Sequence, residues 1–88
     1  VFKVQISASS VSINTTPENF KGVKEVEQFE QKGIYKYTVG NFFTFEQAKT
    51  KQTSVRKLGF DSAFIIAFYN GQKIAVAEGV KLLKESLE

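Results

Sequence analysis

The chain has 88 residues, carries twelve Lys and Arg against nine Asp and Glu for a net charge of +3, and contains neither Cys nor His. Such a length makes one domain with a single modest core, too small for a deep cleft between subdomains. Without Cys or His there is no disulfide framework, no thiolate or imidazole metal site and no histidine base, so the expectation is a non-enzyme without metal or cofactor; the scattered cations do not argue for nucleic acid, and no apolar run reaches the roughly 20 residues of a membrane span.

Val1 stands where an initiating Met is absent, which reads as an excised module whose targeting information lies elsewhere. From Phe2 the chain alternates, with Phe2, Val4, Ile6 and Ala8 against Lys3, Gln5 and Ser7: a half-buried strand with one polar face. A run of Ser, Thr and Asn comes next, and Thr16-Pro17-Glu18 reads as the start of a short helix with Phe20 as its core anchor. Residues 23 to 31 fit both helical spacing and an edge strand. Lys32-Gly33, a hairpin turn before the next strand, favours the strand, and Glu25, Glu27 and Glu30 suit an edge that must not pair further.

The stretch from Gly33 to Phe43 is the strongest strand. If Tyr35, Tyr37 and Val39 face the core, Ile34, Lys36 and Thr38 share the opposite face. Gly40 ends it at a bend, and Thr44-Phe45-Glu46-Gln47 is a capping box with Phe43 placed to staple against Ala48. The helix begun there has an apolar stripe of Phe45, Ala48, Val55 and Leu58, interrupted by Gln52 and closed by Gly59. Between Phe60 and Tyr69, small Ala63, Ile65 and Ala67 alternate with large Phe64, Ile66 and Phe68; the large face is either core or exposed to a ligand. Asn70-Gly71 is a tight turn from which residues 72 to 74 fold back as a short added strand. Val76, Val80, Leu83 and Leu87 then mark an amphipathic helix, weakened at Gly79, that docks on the helix side of the sheet or across one edge. Leu87-Glu88 reads equally as a cloning scar and as a natural helix end.

The expected architecture is α+β: a ferredoxin-like or RNP-like βαββαβ fold, a four-stranded antiparallel sheet with helices on one face and the other face open, over residues 1 to 74, with residues 75 to 88 as a C-terminal helix on the same domain.

Three segments carry a family resemblance: Phe2-Lys3-Val4-Gln5-Ile6-Ser7-Ala8-Ser9, then Tyr35-Lys36-Tyr37-Thr38-Val39-Gly40-Asn41-Phe42 with Phe45 and Ala48, then Gly59-Phe60-Asp61-Ser62-Ala63-Phe64-Ile65-Ile66. In order and spacing they resemble the SPOR (sporulation-related) domain, most closely versions with a short first helix that trail cell-wall amidases in Bacteroides-like bacteria. The resemblance implies a module of the periplasm and cell envelope that binds peptidoglycan glycan strands, particularly strands stripped of stem peptides, and brings an attached amidase or division protein to the septum. It places the glycan on the exposed sheet surface and carries over Gln5, Ile34, Lys36 and Phe64 as ligand contacts. Ile34 stands where several members have Trp, so the ring-face contact falls to Phe64 or a neighbour. Ser7, Thr38 and Ile66 complete the candidate ligand-binding set by sharing those strand faces. The rivals are a single-stranded RNA-binding sheet, disfavoured by the modest charge, and a protein-interaction domain.

Overall fold

The structure, a computed structural model, describes residues 1–87 and the side chains of residues 1–84. It contains strands β1 (Phe2–Ser9), β2 (Val26–Gln31), β3 (Ile34–Phe42), β4 (Phe64–Tyr69) and β5 (Gln72–Ile74), helices α1 (Phe45–Lys57) and α2 (Val76–Leu87), and a single 3-10 turn at Pro17–Phe20. The sheet is antiparallel throughout, in the order β2-β3-β1-β4-β5.

The expected four-stranded ferredoxin-like or RNP-like βαββαβ sheet with helices on one face is overturned: the molecule is a five-stranded antiparallel sheet curled into a half-barrel, with two helices. The fifth strand arises because Asn70 and Gly71 both hold positive φ, 50° and 79°, the geometry of a tight hairpin turn. The first helix is reduced to one turn because Lys21 and Gly22 both leave helical space at positive φ. The curl has two local sources. Between Gln5 and Ser7, β1 carries one residue more than β3, and between Val39 and Phe42, β3 carries one more than β1. Each bulge sharpens the local twist and bends its strand.

On the convex side lies the main core, where Phe2, Val4, Ile6, Tyr37, Val39, Ala63 and Ala67 meet Ala48 and Val55 of α1. Phe20 packs its ring 5.0 Å from that of Tyr37, as its expected role as anchor requires. The Tyr37 hydroxyl accepts from the Ile13 backbone N–H at 2.7 Å and ties down the polar connection between β1 and β2. α1 begins with the expected reciprocal cap: the Gln47 N–H donates to Thr44 Oγ1 and the Thr44 N–H to Gln47 Oε1. The Phe43 staple does not form, since Phe43 is 76% exposed while Ala48 is fully buried. Leu58 is likewise exposed, whereas Gln52, the break in the stripe, donates to the Ala63 carbonyl at 2.9 Å, as does Arg56. Helix α2 leans chiefly on β4. Gly79 is what permits this approach: a Cβ there would stand 3.0 Å from Ala67 Cβ and 3.2 Å from the Phe2 ring. The Leu87 side chain, the last of its expected stripe, and Glu88 lie outside the described residues.

Gly40 holds φ 84°, and a Cβ at this position would fall within the Phe42 ring. Gly40→Ala is therefore expected to lose about 2 kcal/mol in urea unfolding, from left-handed strain and displacement of the ring together. Gly79→Val is expected to speed amide exchange in α2 while the β1 amides stay protected, because overpacking there lifts the helix and leaves the sheet in place.

Candidate functional site

Residues paired directly across a ladder project to the same face of a sheet, so the register assigns the candidate residues to faces. Gln5 opposes Thr38 on β3 and Phe64 on β4, while Lys3 opposes Ile66. Lys36 and Ile34 lie at two-residue steps from Thr38 along β3. Gln5, Ile34, Lys36, Thr38, Phe64 and Ile66 thus share the concave face. Ser7 does not: the bulge places it opposite Tyr37, on the convex side. Continuous alternation through residues 2 to 9 does not survive that extra residue.

Sharing a face is not the same as being open. Gln5, Thr38 and Ile66 are buried, Lys36 is half-buried, and only Ile34 and Phe64 are exposed, at 38% and 45%. Lys36 Nζ donates to Gln31 Oε1 at 2.7 Å. Gln5 Oε1 is buried with no hydrogen-bond partner among the described residues, so it is closed to a ligand as it stands. Curvature explains the burial. Phe29 of β2 and Phe68 of β4 touch edge to face, with centroids 5.7 Å apart. Three strand spacings, roughly 14 Å in a flat sheet, separate their strands. Bending closes that distance and turns a flat platform into a trough.

The accessible part of the trough is a groove of about 640 Å³ lined by Lys3, Glu27, Phe29, Thr38, Asn41 and Phe68, together with the turn after β4. Lys3 Nζ donates to Glu27 Oε2 at 3.3 Å, and Asn41 Nδ2 donates to Glu27 Oε1 at 3.0 Å. The same ammonium lies 5.7 Å from the Phe68 ring centroid. Asn41's hydrogen bond, and to a lesser degree Lys3's hydrogen bond and charge, hold the Glu27 carboxyl below its ordinary value, against a desolvation that raises it. Of these groove residues only Thr38 belongs to the candidate set read from the sequence. A signal for others was present: the two-residue turn at Lys32-Gly33 fixes Gln31 opposite Ile34, which sets Phe29 opposite Lys36 and Glu27 opposite Thr38. Asn41 carried no such signal, because the bulge at Gly40 determines where it points.

A second depression, of about 440 Å³, lies between α2 and the β4–β5 hairpin and is lined by Phe2, Phe43, Tyr69, Ile74 and Leu82. It carries no comparable set of hydrogen-bonding side chains. Among the described residues there is no cluster of His, Cys, Asp or Glu fit to hold a metal, and no helix is long and apolar enough to cross a membrane. Compared with known proteins, the chain matches no family model, no curated protein and no solved structure.

An NMR pH titration is expected to place the Glu27 midpoint below the ordinary glutamate value, and Asn41→Ala to move it upward. Because this folded-state pKa is lowered, the ionised carboxylate's contribution to stability is complete above the unfolded glutamate pKa and is lost as pH falls through the folded one. With the Glu27 side chain 53% exposed, that contribution is small.

Proposed function

We propose that this chain is a non-catalytic module that binds peptidoglycan glycan strands, particularly strands stripped of their stem peptides, and concentrates an attached cell-wall enzyme or division protein at the septum in the bacterial envelope. The observation that carries the reading is the concave groove, where aromatic rings and hydrogen-bonding side chains of four adjacent strands converge on one open trough. Sugar rings have apolar C–H faces and equatorial hydroxyls, and they are held by that combination of ring contact and neutral or charge-assisted hydrogen bonds. The likeness of Phe2 to Ser9, Tyr35 to Phe42 and Gly59 to Ile66 to the SPOR pattern supports the choice of cell-wall glycan among the sugars.

The reading differs from the sequence expectation in which residues do the holding. Exposed Phe64, opposite Gln5 on β4, and exposed Ile34, at the start of β3 two residues from Lys36, serve as apolar contacts on the same face, and the groove is lined by Lys3, Glu27, Asn41 and Phe68. Buried Gln5, Thr38 and Ile66 support the floor.

Co-sedimentation with purified sacculi is expected to rise after amidase treatment and to survive competition by homopolymeric RNA. Equal retention before and after treatment would count against a preference for bare glycan. RNA binding that falls steeply with salt would replace the reading with a nucleic-acid one. Phe64→Ala is expected to weaken retention about tenfold with little change in stability, since the ring is exposed in the free protein.

A further inference from the structure

The polar wall of the groove has an order of donors and acceptors that a generic sugar contact does not require. Each oxygen of the Glu27 carboxylate already receives one donor, Lys3 Nζ on Oε2 and Asn41 Nδ2 on Oε1. The three side chains come from β1, β2 and β3 and line the same groove, and along their chain of hydrogen bonds the order is donor, acceptor, acceptor, donor. An ionised carboxylate has about four lone-pair sites and an ammonium has three protons, which leaves both with unused capacity.

The complement of this order is a pair of hydroxyls on adjacent carbons. Each hydroxyl donates to one carboxylate oxygen and accepts from the donor beside it, and two gauche hydroxyls stand close enough together to span the two oxygens of one carboxylate. A ligand carboxylate is repelled by Glu27 and a ligand ammonium by Lys3, so a neutral diol suits the cluster better than either. The Phe68 ring, next to the Lys3 ammonium and set edge to face against Phe29, supplies an apolar wall for the face of the same sugar.

We propose that Lys3, Glu27 and Asn41 form a subsite for a free vicinal diol, and that the groove therefore holds the non-reducing end of a glycan strand. This rests on the glycan reading and adds to it where along the strand the protein sits. In a 1,4-linked polymer of 2-acetamido sugars, an interior ring has its C2 position acylated and its C4 oxygen in the linkage, so it offers no two free hydroxyls on neighbouring carbons. Only a terminal non-reducing N-acetylglucosamine presents free hydroxyls at both C3 and C4, since a muramic acid ring carries its lactyl ether at C3.

The test is an NMR titration of the 88-residue chain with the methyl glycoside of a 1,4-linked N-acetylglucosamine trisaccharide, and with the same compound after periodate oxidation and borohydride reduction. Periodate cleaves only the C3–C4 bond of the terminal ring. The intact trisaccharide is expected to shift the amides of Lys3, Glu27 and Asn41, and the oxidised one to bind about tenfold more weakly. Glu27→Gln, which replaces one acceptor by a donor, is expected to lose a similar factor toward the intact compound and to discriminate little between the two; Asn41→Ala is expected to lose less. Equal binding of both compounds by the wild type, or undiminished binding of the intact one by a folded Glu27→Gln, overturns the diol subsite and leaves the glycan reading standing. Binding of neither compound overturns both.

Discussion

The contact between Phe29 and Phe68 is possible only if the sheet bends. Their strands are separated by β3 and β1, yet the rings meet at 5.7 Å. A flat antiparallel sheet with helices behind it would keep these side chains apart and leave Gln5, Thr38 and Ile66 in water. In the curled sheet the concave side becomes a second, smaller layer of packing, with Thr38 1% exposed and Ile66 3% exposed. The bend also creates the groove, because walls exist only where outer strands rise toward one another. Its sources lie in the central ladder, where β1 and β3 each carry one residue more than the other at different points.

A bent sheet needs a convex side that can conform to it. Small residues serve that purpose at and just before β4, where Ala67 and Ala63 are buried on the side that meets the helices. Gly79 continues the same logic on α2, where the absence of a side chain lets the helix backbone rest on Ala67 and Phe2. Immediately before β4, the Ala63 carbonyl accepts from Gln52 and from two nitrogens of Arg56, so α1 is fixed to the approach to that strand by hydrogen bonds where its apolar stripe is thinnest. Tyr37 holds the remaining corner: its ring packs at a tilt against Phe20 and its hydroxyl anchors Ile13. The groove residues therefore project from strands whose other side is well packed, which limits how far they move.

Much of this was legible in residue order. Period-two alternation marked β1, β3 and β4, the Thr44 to Gln47 spacing marked the start of α1, and Asn70-Gly71 marked the hairpin that adds β5. What alternation does not encode is a bulge, since one extra residue leaves the composition of a strand unchanged and reverses the face of every residue beyond it. Ser7 was displaced from the candidate face for that reason, and Asn41 was brought onto it near a bulge for the same reason. Burial was also hidden: Gln5 is polar and sits on the expected face, but curvature, which depends on contacts distant in sequence, closes over it. Phe43 shows the converse, an aromatic at staple spacing that remains 76% exposed while Ala48 is fully buried.

Stability does not account well for the arrangement of Lys3, Glu27 and Asn41. An ion pair with a half-exposed carboxylate is worth at most about 1 kcal/mol and is weakened by salt, and a hydrogen bond from an exposed amide adds little more. The apolar contacts of the main core contribute far more to holding β1, β2 and β3 together than this cluster does. Its cost is not negligible, since three long or polar side chains are ordered beside two phenylalanine rings where apolar residues would close the trough more fully. A polar set that the fold does not need, held in a fixed order on the wall of an open groove, is better explained by what it can receive than by what it supports. Folding rests on the convex core, so changes at Glu27 and Asn41 on the concave wall are expected to leave the scaffold that presents them in place, and a role of these side chains in recognition can be tested apart from stability.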